Sequence, residues 1–207
     1  MFKLPTNLRR LRPQTETQFK LPFPAPPHLR IAQLGDGPAF AGVQPFVAER
    51  RIELEAYRPQ VIVGRAKDMQ MVAEMVELRM LDLSSMDHAT VVVTECGDEP
   101  LSDVSRVVLW QTFGVPVFEI FTGRDFSVLA AECELHEGWH LEDDVEFDLV
   151  HGQLVLDAPG NTGLQTGLLG RIDYEPCPCG RPAPRLMNVR PARKPPHSSS
   201  ARLAATA

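Results

Sequence analysis

The chain has 207 residues and a mass of 23.0 kDa, room for one ordinary domain with loose ends. Its 43% hydrophobic and 23% charged residues are the composition of a globular chain with a real core, and no apolar run reaches the length of a membrane span. The net charge of -6 is unevenly divided, with +5 on residues 1–30, -17 on residues 31–180 and +6 on residues 181–207; so acidic a body repels phosphate and argues against nucleic acid as a partner.

The N-terminal MFKLPTNLRRLRPQ is basic but lacks the apolar stretch and cleavage site of a secretory signal. The expectation is a cytoplasmic protein, in which four cysteines read as thiols or metal ligands. Six of nineteen prolines fall in residues 1–27 and seven in residues 176–196. Residues 1–44 therefore read as an extended, proline-rich basic segment, 45–188 as an α/β domain, and 189–207 as a disordered basic tail.

Within the domain, Val61-Ile62-Val63 reads as a short buried strand. Met69, Val72, Ala73, Val76, Met80 and Leu83 recur at three- and four-residue spacings and predict a helix over 66–83. Thr90–Thr94 is a β-branched strand. Pro100 opens a second helix with Leu101, Val104 and Val108 on one face, and Gly114 ends it. Val115–Phe121 is a third strand, so the order implies a parallel sheet with right-handed crossovers. Beyond Phe121, Ser127–Cys133 is strand-like, and Glu146–Val150 with Gln153–Asp157 reads as a hairpin turning at His151-Gly152. The fold expected is a parallel β-α-β-α-β half followed by a smaller antiparallel half. The glycine-rich GNTGLQTGLLG (residues 160–170) lacks the lysine of a triphosphate loop and the spacing of a dinucleotide fingerprint, and reads as loop formers.

Cys133, His140, Cys177 and Cys179 are the strongest constellation. Cys133 and His140 lie on a strand and the turn that follows it, and Cys177-Pro178-Cys179-Gly180 is a second tight pair. Two short pairs of thiolates and imidazole far apart in sequence suit a closed structural zinc site that ties two loops together. His136-Glu137-Gly138-Trp139-His140 also spells the HExxH of metallopeptidases. That motif works on a helix, whereas here it holds a glycine and is bracketed by strand-like runs; a small zinc hydrolase using His136, Glu137 and His140 is the reading it would carry.

Several stretches together resemble the central part of the adenylate-forming ligases, in particular the phenylacetate–CoA ligase-like branch. They are Pro59–Gly64, the helix from Lys67, Gly97-Asp98-Glu99-Pro100-Leu101-Ser102, Phe113–Phe121, Ala130–Cys133, Glu137–Leu141, and Cys177–Arg181 with Pro184-Arg185-Leu186. The resemblance implies a cysteine/histidine zinc site on Cys133, His140, Cys177 and Cys179, and it makes Gly97, Glu99 and Phe121 remnants of a nucleotide site.

The same resemblance implies lost chemistry. The family's Tyr-Gly-x-Thr-Glu falls on Phe121-Thr122-Gly123-Arg124-Asp125, where Arg124 replaces threonine and Asp125 replaces glutamate. Of its Arg-Tyr-Arg-Thr-Gly-Asp only Thr166-Gly167 survives, and Leu168 stands for the ribose-binding aspartate. Nothing in residues 1–58 resembles the phosphate loop, and the 28 residues from Gly180 onward hold one lysine, Lys194, in place of a lid domain.

The function expected is a zinc-stabilised ligase-like domain without adenylating activity, needing neither ATP/Mg2+ nor CoA. It would act as a binding or accessory protein for a small carboxylate, a carrier protein or a full-length ligase. The alternative is a residual or split AMP-forming ligase in which Asp125 holds magnesium and a partner chain supplies the missing parts. An apolar face left uncovered would drive self-association.

Overall fold

The structure, a computed structural model, describes residues 19–47, 50–158, 161–181 and 184–192. In chain order the strands and helices are β1 Ile31–Leu34, β2 Gln44–Phe46, α1 Arg51–Tyr57, β3 Val61–Arg65, α2 Ala66–Glu77, β4 Ala89–Glu95, α3 Asp103–Phe113, β5 Val117–Thr122, β6 Val128–Glu132, β7 Trp139–Leu141, β8 Glu146–Val150, β9 Gln153–Ala158, β10 Asn161–Asp173 and β11 Arg185–Pro191. All the strands join one 11-stranded sheet in the order β2-β1-β3-β4-β5-β6-β7-β11-β10-β9-β8. Pairings from β2 through β5 are parallel, and those from β5 to β8 are antiparallel. The two expected halves are therefore continuous in a single mixed sheet.

The central β3-α2-β4-α3-β5 unit forms because its strands are runs of β-branched residues, buried on both faces as parallel strands require. Ile62 and Val92 face the helices, where Met69, Val72, Ala73 and Leu109 close the core. Val61, Val63, Val91, Val93 and Ile120 face the opposite side. That side is covered by the N-terminal segment itself, through Phe19, Leu21, Phe23 and Leu29. Residues 19–30 are in neither helix nor strand, as their prolines dictate, and form a strap in place of a second helical layer. Sequence reasoning also missed β1 and β2, strands of four and three residues, too short to show a period.

Three elements differ from their sequence reading. Helix α2 ends at Glu77 rather than Leu83, because Arg79 adopts φ 58° and turns the chain away; Leu81, Leu83 and Met86 are buried from the connection that follows. Helix α3 starts at Asp103, where Ser102 Oγ accepts from Ser105 N at 3.1 Å. Its buried residue is Leu109, while Val104 and Val108, expected on the inner face, are 75% and 40% exposed. Gly114 does end it in the left-handed region.

The third difference is the glycine-rich stretch, which is the 13-residue strand β10 rather than a loop. It pairs with β9 and β11, and its register shifts between Gln165 and Leu169, a span that contains Gly167 at φ 74°. The hairpin at His151-Gly152 is present as expected, with φ of 51° and 79° and Val150 paired to Gln153. The tail expected to be disordered from 189 instead begins within β11, which pairs Arg190 and Pro191 with Leu169 and Leu168, and its residues from 193 onward lie outside the described ones.

The strap is expected to contribute as a core layer. Phe23, which stacks on Phe118 at 5.0 Å between ring centroids, should cost about 1–3 kcal/mol on replacement by alanine, below the range for a fully buried phenylalanine because it is partly exposed. Urea unfolding measures this, and an unchanged midpoint would show that the strap is not part of the core.

Candidate metal centre

Two turns meet at one end of the short strand β7. The first follows β6: Cys133 O accepts from His136 N at 2.9 Å, and the chain re-enters the sheet at Trp139. The second joins β10 to β11, where Cys177 O accepts from Gly180 N at 3.0 Å and Gly180 takes φ 81°. Pairing of β7 with β11 sets Arg185 opposite His140 and Leu186 opposite Trp139, which carries the second turn onto the first. Cys133 is thus in the turn and His140 in the strand after it.

The four expected ligands come together. Cys133 Sγ lies 3.9 Å from Cys177 Sγ, and Cys179 Sγ lies 3.6 Å from His140 Nε2. All four donor atoms lie within 4.8 Å of one another. A tetrahedron with metal–sulfur bonds of about 2.3 Å and metal–nitrogen bonds of about 2.0–2.1 Å has edges of about 3.8 Å between sulfurs and about 3.6 Å between sulfur and nitrogen. The two measured donor separations, 3.9 and 3.6 Å, match the edges of such a polyhedron, and all four donors lie close enough to share one ion. All four cysteines of the chain are free thiols, so no disulfide competes for the cluster.

The electrostatics fit a cation. Cys133, Cys177 and His140 are buried, and Cys179 is half-buried. Burial pushes the Cys179 thiol up to about 11, and the neighbouring Cys177 and Cys133 sulfurs add to the shift. Three adjacent sulfurs, two of them buried, cannot all ionise against one another, and a divalent cation removes that conflict. The residues present thus suit a metal ion.

Neighbouring groups hold the site in place. Arg181 N donates to Cys179 Sγ at 3.4 Å, and the Arg181 guanidinium bonds Glu132 O at 3.3 Å and also Pro22 O of the strap. A groove of about 660 Å³ runs between the strap and the ligand-bearing turns, with Cys179 and His140 among its lining residues. Arg185, 6% exposed, bonds Asp173 Oδ2 at 3.2 Å and Glu137 Oε2 at 3.0 Å.

These contacts correct the hydrolase reading. His136 does not reach the cluster: its ring stacks on Phe118 at 5.0 Å and its Nδ1 lies 3.5 Å from Glu132 Oε2. Glu137 is held by Arg185, and the segment enters a strand rather than a helix, so the two histidines never share a helical face. Gly138 has a different role, since at φ 83° a Cβ there would come within 2.5 Å of Leu186 O. The glycine lets the loop lie against β11.

The residues assigned to a nucleotide site lie largely at the carboxyl ends of β4 and β5, with β10 alongside; Cys96 Sγ is 3.9 Å from Gln165 O. Phe121 is fully buried and stacks on Trp139 at 5.3 Å. Thr166 is buried, donates to Leu154 O at 2.8 Å and accepts from Leu168 N at 3.1 Å. Asp125 Oδ1 accepts from Ser127 Oγ at 2.7 Å within its own turn. Gly97, Glu99, Arg124 and Gly167 are exposed. At the ends of β3 and β4, Arg65 pairs with Glu95 and lies over the Phe126 ring at 5.7 Å.

Sequence reasoning missed a buried ionic network beside the metal turns. Arg106 of α3 grips Glu132 with two bonds of 3.0 and 2.8 Å, and Glu132 Oε2 accepts from Glu119 N at 2.7 Å. Glu119, 2% exposed, accepts from Thr94 Oγ1 at 2.5 Å and Leu101 N at 2.7 Å. Its signal was a glutamate inside the apolar run Val117–Phe121.

Comparisons with known proteins identify the fold. No protein-family model matches the chain, and no curated protein matches it in sequence. Among solved structures it is similar to 2-hydroxyisobutyryl-CoA ligase in complex with 2-HIB-AMP and CoA, with TM-score 0.60 and 14% identity over 76% of this chain and 43% of that one. It is similar to coronafacic acid ligase from Pectobacterium brasiliense, with TM-score 0.52 and 14% identity over 76% of this chain and 39% of the ligase. It is also similar to the luciferase-like enzyme of the nonluminescent mealworm Zophobas morio, with TM-score 0.52 and 11% identity over 86% and 50%. The likeness is one of fold, that of adenylate-forming ligases, and the chain spans about half or less of these neighbours' length. No helix among the described residues is long and apolar enough to cross a membrane.

Burial raises the Glu119 carboxyl to about 7, more than its hydrogen bonds to Thr94 and Leu101 hold it down. The folded state then keeps a proton that the unfolded state releases near the ordinary glutamate value, about 4.3. The stability this group contributes is present below that value and is lost as pH rises to about 7. Glu119→Gln should therefore flatten the stability–pH curve between these values; parallel urea titrations of the two proteins should diverge there, and curves that stay parallel would contradict the assignment.

Proposed function

We propose that the chain is a zinc-stabilised relative of the phenylacetate–CoA ligase-like branch that keeps the scaffold without adenylating chemistry and acts as a binding or accessory protein. The observation that carries this reading is the use made of Phe121 and Thr166, both buried and engaged inside the protein. Adenylation needs donors and cations aimed at the transferring phosphate. At this edge Asp125 is turned into a bond with Ser127, and Arg65 is paired with Glu95.

Zinc is the ion best suited to three cysteines and one histidine in a closed tetrahedral set, and there it supplies folding free energy. Cys133 would hold it from the turn after β6, His140 from β7, and Cys177 and Cys179 from the turn before β11. The protein acts on small carboxylates, a carrier protein or a complete ligase by binding. A second reading, a residual or split ligase completed by another chain, draws support from the acyl-adenylate and CoA in the structure of 2-hydroxyisobutyryl-CoA ligase.

Calorimetry with ATP–Mg2+, followed by a pyrophosphate-release assay with aryl and short-chain acids, separates the two. The expected result is no binding tighter than about 1 mM and no pyrophosphate above background. Micromolar ATP binding with acid-dependent pyrophosphate release would overturn the proposal in favour of the ligase. Chelation should unfold the antiparallel half, seen as loss of the Trp139 environment by fluorescence. Acid should do the same, because thiolates and imidazole must take up protons as the ion leaves; a fold indifferent to both would reject a structural metal.

A further inference from the structure

The three sulfurs of the cluster are unequal in what can reach them. Cys133 and Cys177 are 0% and 5% exposed, whereas Cys179 is half-buried and lines the groove of about 660 Å³ between the strap and the turns. Arg181 N donates to Cys179 Sγ at 3.4 Å, a bond that favours the thiolate. A cysteine that ligates a metal is deprotonated outright. Cys179 thus joins the two properties that make a sulfur reactive, thiolate character and access, and its thiolate form rests on the metal site proposed above.

A second thiol stands behind it. The Sγ atoms of Cys133 and Cys179 lie within 4.8 Å of each other, and a disulfide needs about 2.05 Å, an approach that side-chain rotation in two turns supplies. Cys177 is as near but is the poorer partner. A bond from it to Cys179 would close a small ring through Pro178, whose φ is fixed, in a turn already tied by Gly180 N donating to Cys177 O at 3.0 Å. Cys96, the remaining cysteine, lies outside the cluster, against Gln165 O.

We propose that Cys179 is an oxidation site for small hydroperoxides and that Cys133 is its resolving thiol. With hydrogen peroxide, the Cys179 thiolate attacks one oxygen, an S–O bond forms, the O–O bond breaks, and the departing oxygen takes a proton to become water. The sulfur loses two electrons and the peroxide gains them. The Cys133 thiolate then attacks Cys179 Sγ; the S–S bond forms, the S–O bond breaks, and the oxygen leaves with a proton as a second water. Two thiolates, one hydrogen peroxide and two protons give one disulfide and two waters. Cys177 and His140 then remain, too few donors for a closed site. The groove favours a neutral peroxide over an anionic oxidant, since Glu134, Glu142 and Asp143 outnumber Lys20 and Arg181 along it.

Non-reducing peptide mapping of the full chain, after hydrogen peroxide is added to the reduced protein in about tenfold excess, tests this. The expected product joins Cys133 to Cys179, leaves Cys96 and Cys177 open to alkylation, and halves the titratable thiols from the four free cysteines of the chain. Zinc, followed with a chromogenic chelator, should be released in proportion to the bond, and dithiothreitol should restore both thiols. Cys96→Ser should behave as the wild type. Survival of all the thiols, a bond that omits Cys133 or Cys179, or sulfinic acid at Cys179 without a bond would overturn the proposal. Zinc analysis before oxidation keeps the two claims apart: protein without zinc rejects the structural metal, while the peptide map still decides the disulfide.

Discussion

Three sulfurs and one imidazole gathered within 4.8 Å of one another stand where the two halves of the sheet meet. The large sheet has a thin seam. Its parallel half reaches its antiparallel half through β6 and the three-residue β7, and β7 meets β11 at only two paired positions. A ladder that short is weak by itself. The Cys133/His140 turn and the Cys177/Cys179 turn sit across this seam, and an ion shared between them would bind β6, β7 and β11 into one unit. The buried Arg185, opposite His140 in the ladder, fastens the same seam by its pairs with Asp173 and Glu137.

Beside that cluster, the residues at the ends of β4 and β5 are engaged in the protein's own packing. Phe121 and Trp139 stack in the core that joins the two halves, and Thr166 closes the irregular middle of β10. A fold rests on burial and backbone pairing, and these residues serve both. The strap is the complementary adjustment. A parallel sheet must be covered on both faces, and residues 19–30 supply the cover that helices provide elsewhere, with Arg181 linking the strap to the metal turns.

How far the structure was legible depended on the kind of signal. The β3-α2-β4-α3-β5 unit could be read because Val61–Val63 and Thr90–Thr94 are β-branched runs separated by helical periods. The cysteine/histidine cluster could be read because its residue types are chemically distinctive and paired. His140 was read into it beside Cys133, and the structure sets His136 apart, stacked on Phe118. β10 was hidden because its glycines look like loop formers and serve instead in a bulged strand. The outer face of α3 was hidden because Val104 and Val108 fit an inward stripe as well as an outward one, and burial depends on where α2 and the sheet stand. The strap was illegible for a simpler reason: prolines announce extension, but not what an extended segment packs against.

X-ray absorption at the zinc edge, on protein purified without added metal, tests the central claim most directly. The account predicts about one zinc per chain with three sulfur neighbours near 2.3 Å and one nitrogen near 2.0 Å. Metal-free protein that is nonetheless fully folded, or a shell dominated by oxygen, would contradict it.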